Sequence, residues 1–133
     1  MSTSTDALAF VGRCLMATLL IMSGFGKVMG PQATLDWIAS VGLPQPPIAY
    51  VASIAIELGG GLLLILGWQT RIVAALLAIF AIATALIFHR NVADQNQLFH
   101  FLKNIAVTGG FLQLMAFGAG RWSVDARMGR VKS

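Results

Sequence analysis

The segment Ile48–Gly67, IAYVASIAIELGGGLLLILG, runs for twenty residues with no basic side chain and a single acid, Glu57, near its middle. A hydrocarbon core about 30 Å thick takes roughly 20 helical residues to cross. The stretch therefore predicts a membrane-crossing helix. Such a helix carries Glu57 close to the bilayer mid-plane, where an ionisable group is costly and marks a functional-site candidate.

Three further apolar runs have comparable reach: Ala7–Met29, Ile72–Phe88 (extended to His89 by its interfacial ring), and Leu98–Gly118. The predicted fold is all-α, an integral membrane four-helix bundle formed by one domain over residues 1–133, with a basic tail from 119 to 133. Composition agrees, with mean hydropathy +0.79 and only 11% charged residues, where a soluble domain carries about a quarter. Met1–Asp6 has no basic residue and no cleavage signal, so the first run reads as a retained helix. The excess of nine basic over five acidic residues includes Arg121, Arg127, Arg130 and Lys132 in the last thirteen positions. Beside an apolar helix, that cluster faces anionic lipid rather than nucleic acid, for which no motif is present.

The connections differ in kind. Gly67-Trp68-Gln69-Thr70-Arg71 is tight and predicts antiparallel neighbours. The first connection, Gly30–Pro47, holds all four prolines, and between them Gln32–Val41 reads as a short interfacial helix with Trp37 at headgroup depth. An ordered loop capping the bundle is the other reading of that stretch. Basic residues near the helix ends number five on the side of the termini and Arg71, against Lys27, Arg90 and Lys103 on the other. By the positive-inside rule both termini lie in the cytoplasm.

Helical spacing decides which charges share a bundle-facing stripe. Ser53, Glu57 and Gly61 are four apart; Arg13, Ala17, Leu20, Gly24 and Lys27 line one stripe of the first helix; Lys103, Ala106, Gly110, Leu114 and Phe117 line one of the last. Small residues on each stripe allow close approach. The expected buried cluster is Arg13, Glu57 and Lys103, with Asn104 beside it, and Lys27 and Arg71 are secondary polar positions. Two readings stand side by side: a Glu57–Arg13 pair that fixes helix register, or a polar cavity for a proton, an anion or a quinone head group. Cys14 is the lone cysteine and reads as packing. His89 and His100 flank one loop and read as interface residues. No metal or nucleotide motif is present; the cofactor is left unassigned, with quinone admitted.

The residues carry a resemblance. Arg13 with Ser23-Gly24-Phe25-Gly26-Lys27 and Pro31, then Glu57-Leu58-Gly59-Gly60-Gly61, then Gly67-Trp68-Gln69-Thr70-Arg71, are similar to the opening, second helix and tight turn of DoxX family membrane proteins. Leu102-Lys103-Asn104, Gly109-Gly110 and Gly118-Ala119-Gly120-Arg121-Trp122-Ser123-Val124-Asp125 resemble that family's last helix and exit. The resemblance implies a multi-pass protein of the bacterial inner membrane, with Arg13, Lys27, Glu57, Arg71, Lys103 and Asn104 on recurrent polar positions. Because the family includes a subunit of a thiosulfate:quinone oxidoreductase, it also implies a non-catalytic membrane subunit or accessory beside a membrane-associated redox enzyme. A small carrier for protons or anions, acting as a homo-oligomer, is the alternative.

Overall fold

A computed structural model describes residues 2–89 and 91–129. The basic positions Arg90, Arg130 and Lys132 lie outside the described residues. The elements in order are α1 (Thr3–Met29), α2 (Pro31–Ser40), α3 (Pro46–Ile54), a π-helical turn (Ala55–Gly59), α4 (Gly60–Leu66), α5 (Thr70–Phe88), α6 (Gln95–Phe117) and the short α7 (Val124–Arg127). No strand occurs among the described residues.

Each boundary has a local cause. Ser2 caps α1 by accepting the backbone N–H of Thr5 at 3.2 Å, and Asp94 caps α6 by accepting those of Asn96 and Gln97. Pro31 opens α2 at a position whose N–H would have no helical partner. The short helix expected between the first two crossings is thus present, with Trp37 43% exposed and Ile38 buried. α3, the π turn and α4 run on as one 21-residue rod, Pro46–Leu66.

The rod packs along α1, and α5 pairs with α6; α4 against α5 joins the two hairpins. Their shared core is Ala17 and Leu20 from α1, Leu64 from α4, Val73, Ala74, Leu77, Ala78 and Ala81 from α5, and Phe111 from α6. The small residues of α5 recur at three- and four-residue steps, which lets backbones approach closely where lipid supplies no hydrophobic drive. Polarity is reversed relative to a water-soluble domain. Arg13 and Glu57 are 1% and 3% exposed, whereas Leu8, Leu15 and Ile79 are each about two-thirds exposed or more. A surface of that kind belongs in hydrocarbon.

Three stretches are long and apolar enough to cross a membrane: Thr3–Met29, Pro46–Leu66 and Thr70–Phe88. The fourth expected crossing falls on α6, which has the length, 23 residues, but places Gln95, Asn96, Gln97, His100, Lys103 and Asn104 in its first ten positions. Its polar residues are thus concentrated in its N-terminal half.

Candidate functional site

The chain folds so that its charges gather at two heights. At the end holding the 67–71 turn, charged side chains from distant elements satisfy helix termini. The last carbonyls of α4 have no N–H within the helix. Gly67, with φ 70°, turns the chain so that its own N–H and that of Trp68 return to Leu63 O. The next two carbonyls, Leu64 O and Ile65 O, accept from Arg13 Nη1 at 2.6 and 3.1 Å, and Trp122 O accepts from Arg13 Nη2. A Cβ at position 67 would collide with Arg13 Nη1 and Ser123, so glycine is required there by space as well as by φ. Arg71 Nη1 serves α6 in the same way, donating to Met115 O and Ala116 O at 3.0 Å each. Asp125 does the converse for α5, accepting the backbone N–H groups of Gln69 and Thr70 at 2.7 and 2.9 Å. Helix ends leave such groups unpaired within the helix, and these side chains supply their partners.

At the other height lies Glu57. It sits in the π turn, a local widening of the helix that occurs often at functional sites. The carboxylate is ion-paired with Lys27, whose Nζ donates to Glu57 Oε1 and also to Ser23 Oγ at 3.4 Å. Tyr50 holds the end of α1 by donating its hydroxyl to Lys27 O at 2.7 Å. Gly24 makes this height possible: a Cβ there would lie 3.3 Å from the Glu57 Cβ and 2.8 Å from Leu58. The second carboxylate oxygen, Oε2, is buried with no hydrogen-bond partner.

The expected grouping of Arg13, Glu57 and Lys103 is corrected by these positions: Arg13 belongs to the other end. Arg13 and Lys27 share a stripe but are fourteen residues apart, about 21 Å along the axis. Glu57 is level with Gly24, next to Lys27. The Cα–Cβ bond of a helical residue also tilts toward the helix N-terminus, which aims Arg13 away from Glu57. Lys103 does lie at the Glu57 level. Met16 packs against Gly110, and two turns on, in antiparallel helices, Lys103 comes abreast of Ser23. Lys103 is exposed rather than buried, and its Nζ lies 3.3 Å from His100 Nδ1. Asn104 turns to α5, donating to Ala81 O at 3.1 Å.

Beside the Lys27–Glu57 pair, α3 and α5 diverge and leave a cavity of about 480 Å³. Ala49, Ala52 and Ile56 form one wall, Phe80, Ala83 and Ile87 the other, and Trp37 and Ile38 of α2 cover it. Its polar groups are Lys27, Thr34, Ser53, Thr84 and His89. The His89 ring stacks on His100 with centroids 4.9 Å apart. This volume and largely apolar lining with a few convergent polar groups suit a small lipophilic ligand.

Sequence reasoning ranked Lys27 below Arg13 and missed Asp125, Tyr50 and the cavity wall. The signal for Asp125 was available: an acid five residues after the small-residue turn Gly118-Ala119-Gly120, behind the last apolar run.

The DoxX sequence profile matches residues 8–90. The chain belongs to the DoxX family. It is 38% identical over 120 residues to inner membrane protein YqjF of Escherichia coli K12, covering 90% of this chain and 91% of that protein. Inner membrane protein YphA of the same organism is 32% identical over 125 residues, with 90% and 89% covered. The putative oxidoreductase CatD of Bacillus subtilis 168 is 39% identical over 67 residues, half of this chain and 48% of that one. No solved structure matches. As a DoxX protein with long apolar helices, the chain is a membrane protein.

Proposed function

We propose that this DoxX protein crosses the bacterial inner membrane four times, with both termini in the cytoplasm. It serves as a non-catalytic membrane subunit of a redox system, holding a quinone-type head group in the cavity beneath α2. The observation that carries the reading is that Lys27, the ion-pair partner of Glu57, lines that apolar cavity. An intramembrane ion pair beside a lipophilic cavity offers one charged contact to a ligand arriving from the bilayer. The names of the two Escherichia coli relatives support the membrane assignment, and that of the Bacillus relative supports a redox setting. The redox partner is a membrane-associated oxidoreductase, and self-association brings further copies alongside it.

The test is extraction of quinone from protein purified in mild detergent. Wild type is expected to carry quinone near one equivalent. Ala83→Phe, which fills the cavity from the α5 wall, is expected to carry almost none while keeping its helical content. Absence of quinone from the wild type, or equal amounts in both, would overturn the reading.

A further inference from the structure

The cavity has a hydrogen-bonding polarity set by where its hydroxyl protons point. A serine or threonine hydroxyl has one hydrogen and two lone pairs. Three such groups stand in the wall, and each gives its hydrogen to a backbone carbonyl of the preceding turn. Thr34 Oγ1 donates to Gly30 O at 3.3 Å, Ser53 Oγ to Tyr50 O at 2.9 Å, and Thr84 Oγ1 to Phe80 O at 2.7 Å. Only lone pairs are left for a ligand. Against these three acceptors stand two donors, Lys27 and Trp37, while the His89 ring is engaged by Gln97 through Nδ1 at 3.0 Å. Lys27 is already engaged by Glu57 and Ser23, and the Trp37 indole lies on the exposed cover.

We propose that the cavity selects a head group that donates hydrogen bonds, binding the dihydroxy (quinol) form of a quinone pair in preference to the dicarbonyl form. The proposal rests on the reading that a quinone-type head occupies this cavity. A dicarbonyl ring presents only lone pairs and would oppose them to those of Thr34, Ser53 and Thr84. A dihydroxy ring places two O–H groups where two of these can accept. Sites built to hydrogen-bond a hydroxyl discriminate strongly against the analogue without one, because their own polar groups are then left unmatched. A preference of about tenfold is expected if one net hydrogen bond separates the two forms. Tighter binding of the reduced form favours reduction, so tenfold discrimination raises the two-electron potential of the bound pair by about 30 mV.

The experiment follows melting of the detergent-solubilised protein under argon, with a short-isoprenoid benzoquinone or its borohydride-reduced quinol as the probe. Dissociation constants come from the concentration dependence of the shift. The wild type is expected to bind the quinol about tenfold more tightly. Ser53→Ala with Thr84→Val is expected to bring the two constants within about twofold of each other by weakening the quinol alone. Thr84→Ser, which keeps the hydroxyl, should retain the preference and serves as the folded control. Equal or tighter quinone binding by the wild type would overturn the proposal while leaving the cavity assignment standing, and so would a preference undiminished in the double variant. Failure of both forms to bind would remove the cavity assignment as well.

Discussion

The Asp125 carboxylate accepts the backbone N–H of Thr70 at 2.9 Å across 55 positions of sequence. With Gln69 N–H on its other oxygen, it fixes the start of α5 from a segment beyond α6. Together with Arg13 on α4 and Arg71 on α6, it makes one end of the bundle a set of helix caps supplied from a distance. Charge at that end holds backbone termini in place. Charge at the Glu57 level holds side chains.

Asp125→Ala removes two charge-assisted acceptors from buried N–H groups, each worth about 1–3 kcal/mol. The expected result is a loss of a few kcal/mol in detergent unfolding, with Asp125→Asn falling between the variant and the wild type. An Asp125→Ala protein that melts with the wild type would show that water or lipid satisfies α5 equally well.

Arg13 donates to three carbonyls on two segments, a fork that a lysine ammonium cannot reproduce. Arg13→Lys should therefore lose nearly as much stability as Arg13→Gln, about 2–4 kcal/mol if two buried carbonyls lose their partner. If Arg13→Lys were as stable as the wild type, positive charge rather than geometry would be the contribution.

A double-mutant cycle separates the two candidate partners of Glu57. Glu57→Gln with Lys27→Met should show a coupling of about 0.6–1.7 kcal/mol, the average and upper value of such cycles between membrane helices. The same cycle with Arg13→Gln should be additive, since Glu57 is level with Gly24, eleven residues or about 16 Å along α1 from Arg13. Coupling to Arg13 and none to Lys27 would reverse the assignment.

Alkaline phosphatase fused after Ser133 should be inactive, and fused within Asp94–Gln97 it should be active. The proposed four crossings would put these points on opposite sides of the membrane. An active fusion at Ser133 would invert the topology, and two active fusions would reduce the crossings to three, removing α6 from the bilayer.

How much of this was legible in the sequence depended on whether a feature is local. The helices follow from apolar run length, and the short helix before Pro44 follows from proline placement and the spacing of Leu35, Trp37, Ile38 and Val41. Glu57 could be singled out because one acid in twenty apolar residues must find an interior partner. The identity of that partner could not, since helical periodicity gives the face of a side chain and not its height. Arg13 and Lys27 occupy the same stripe of α1, and only the level at which the rod Pro46–Leu66 meets α1 distinguishes them. That level is set by the Gly24 contact and the turn at Gly67, both tertiary. The π turn at Glu57 left no mark in composition. The exposure of Lys103 depends on the spread between α1 and α6, which no single helix records.

The carbonyls that hold Arg13 come from very different points of the chain, 51 and 52 residues later for Leu64 and Ile65 and 109 for Trp122. A ribosome delivers them in that order. The guanidinium enters the bilayer with the first helix, gains its α4 acceptors when the second hairpin arm arrives, and gains the Trp122 carbonyl only as synthesis nears its end. A chain cut short after α5 lacks the Trp122 carbonyl, so one arm of the Arg13 fork has no acceptor from that segment.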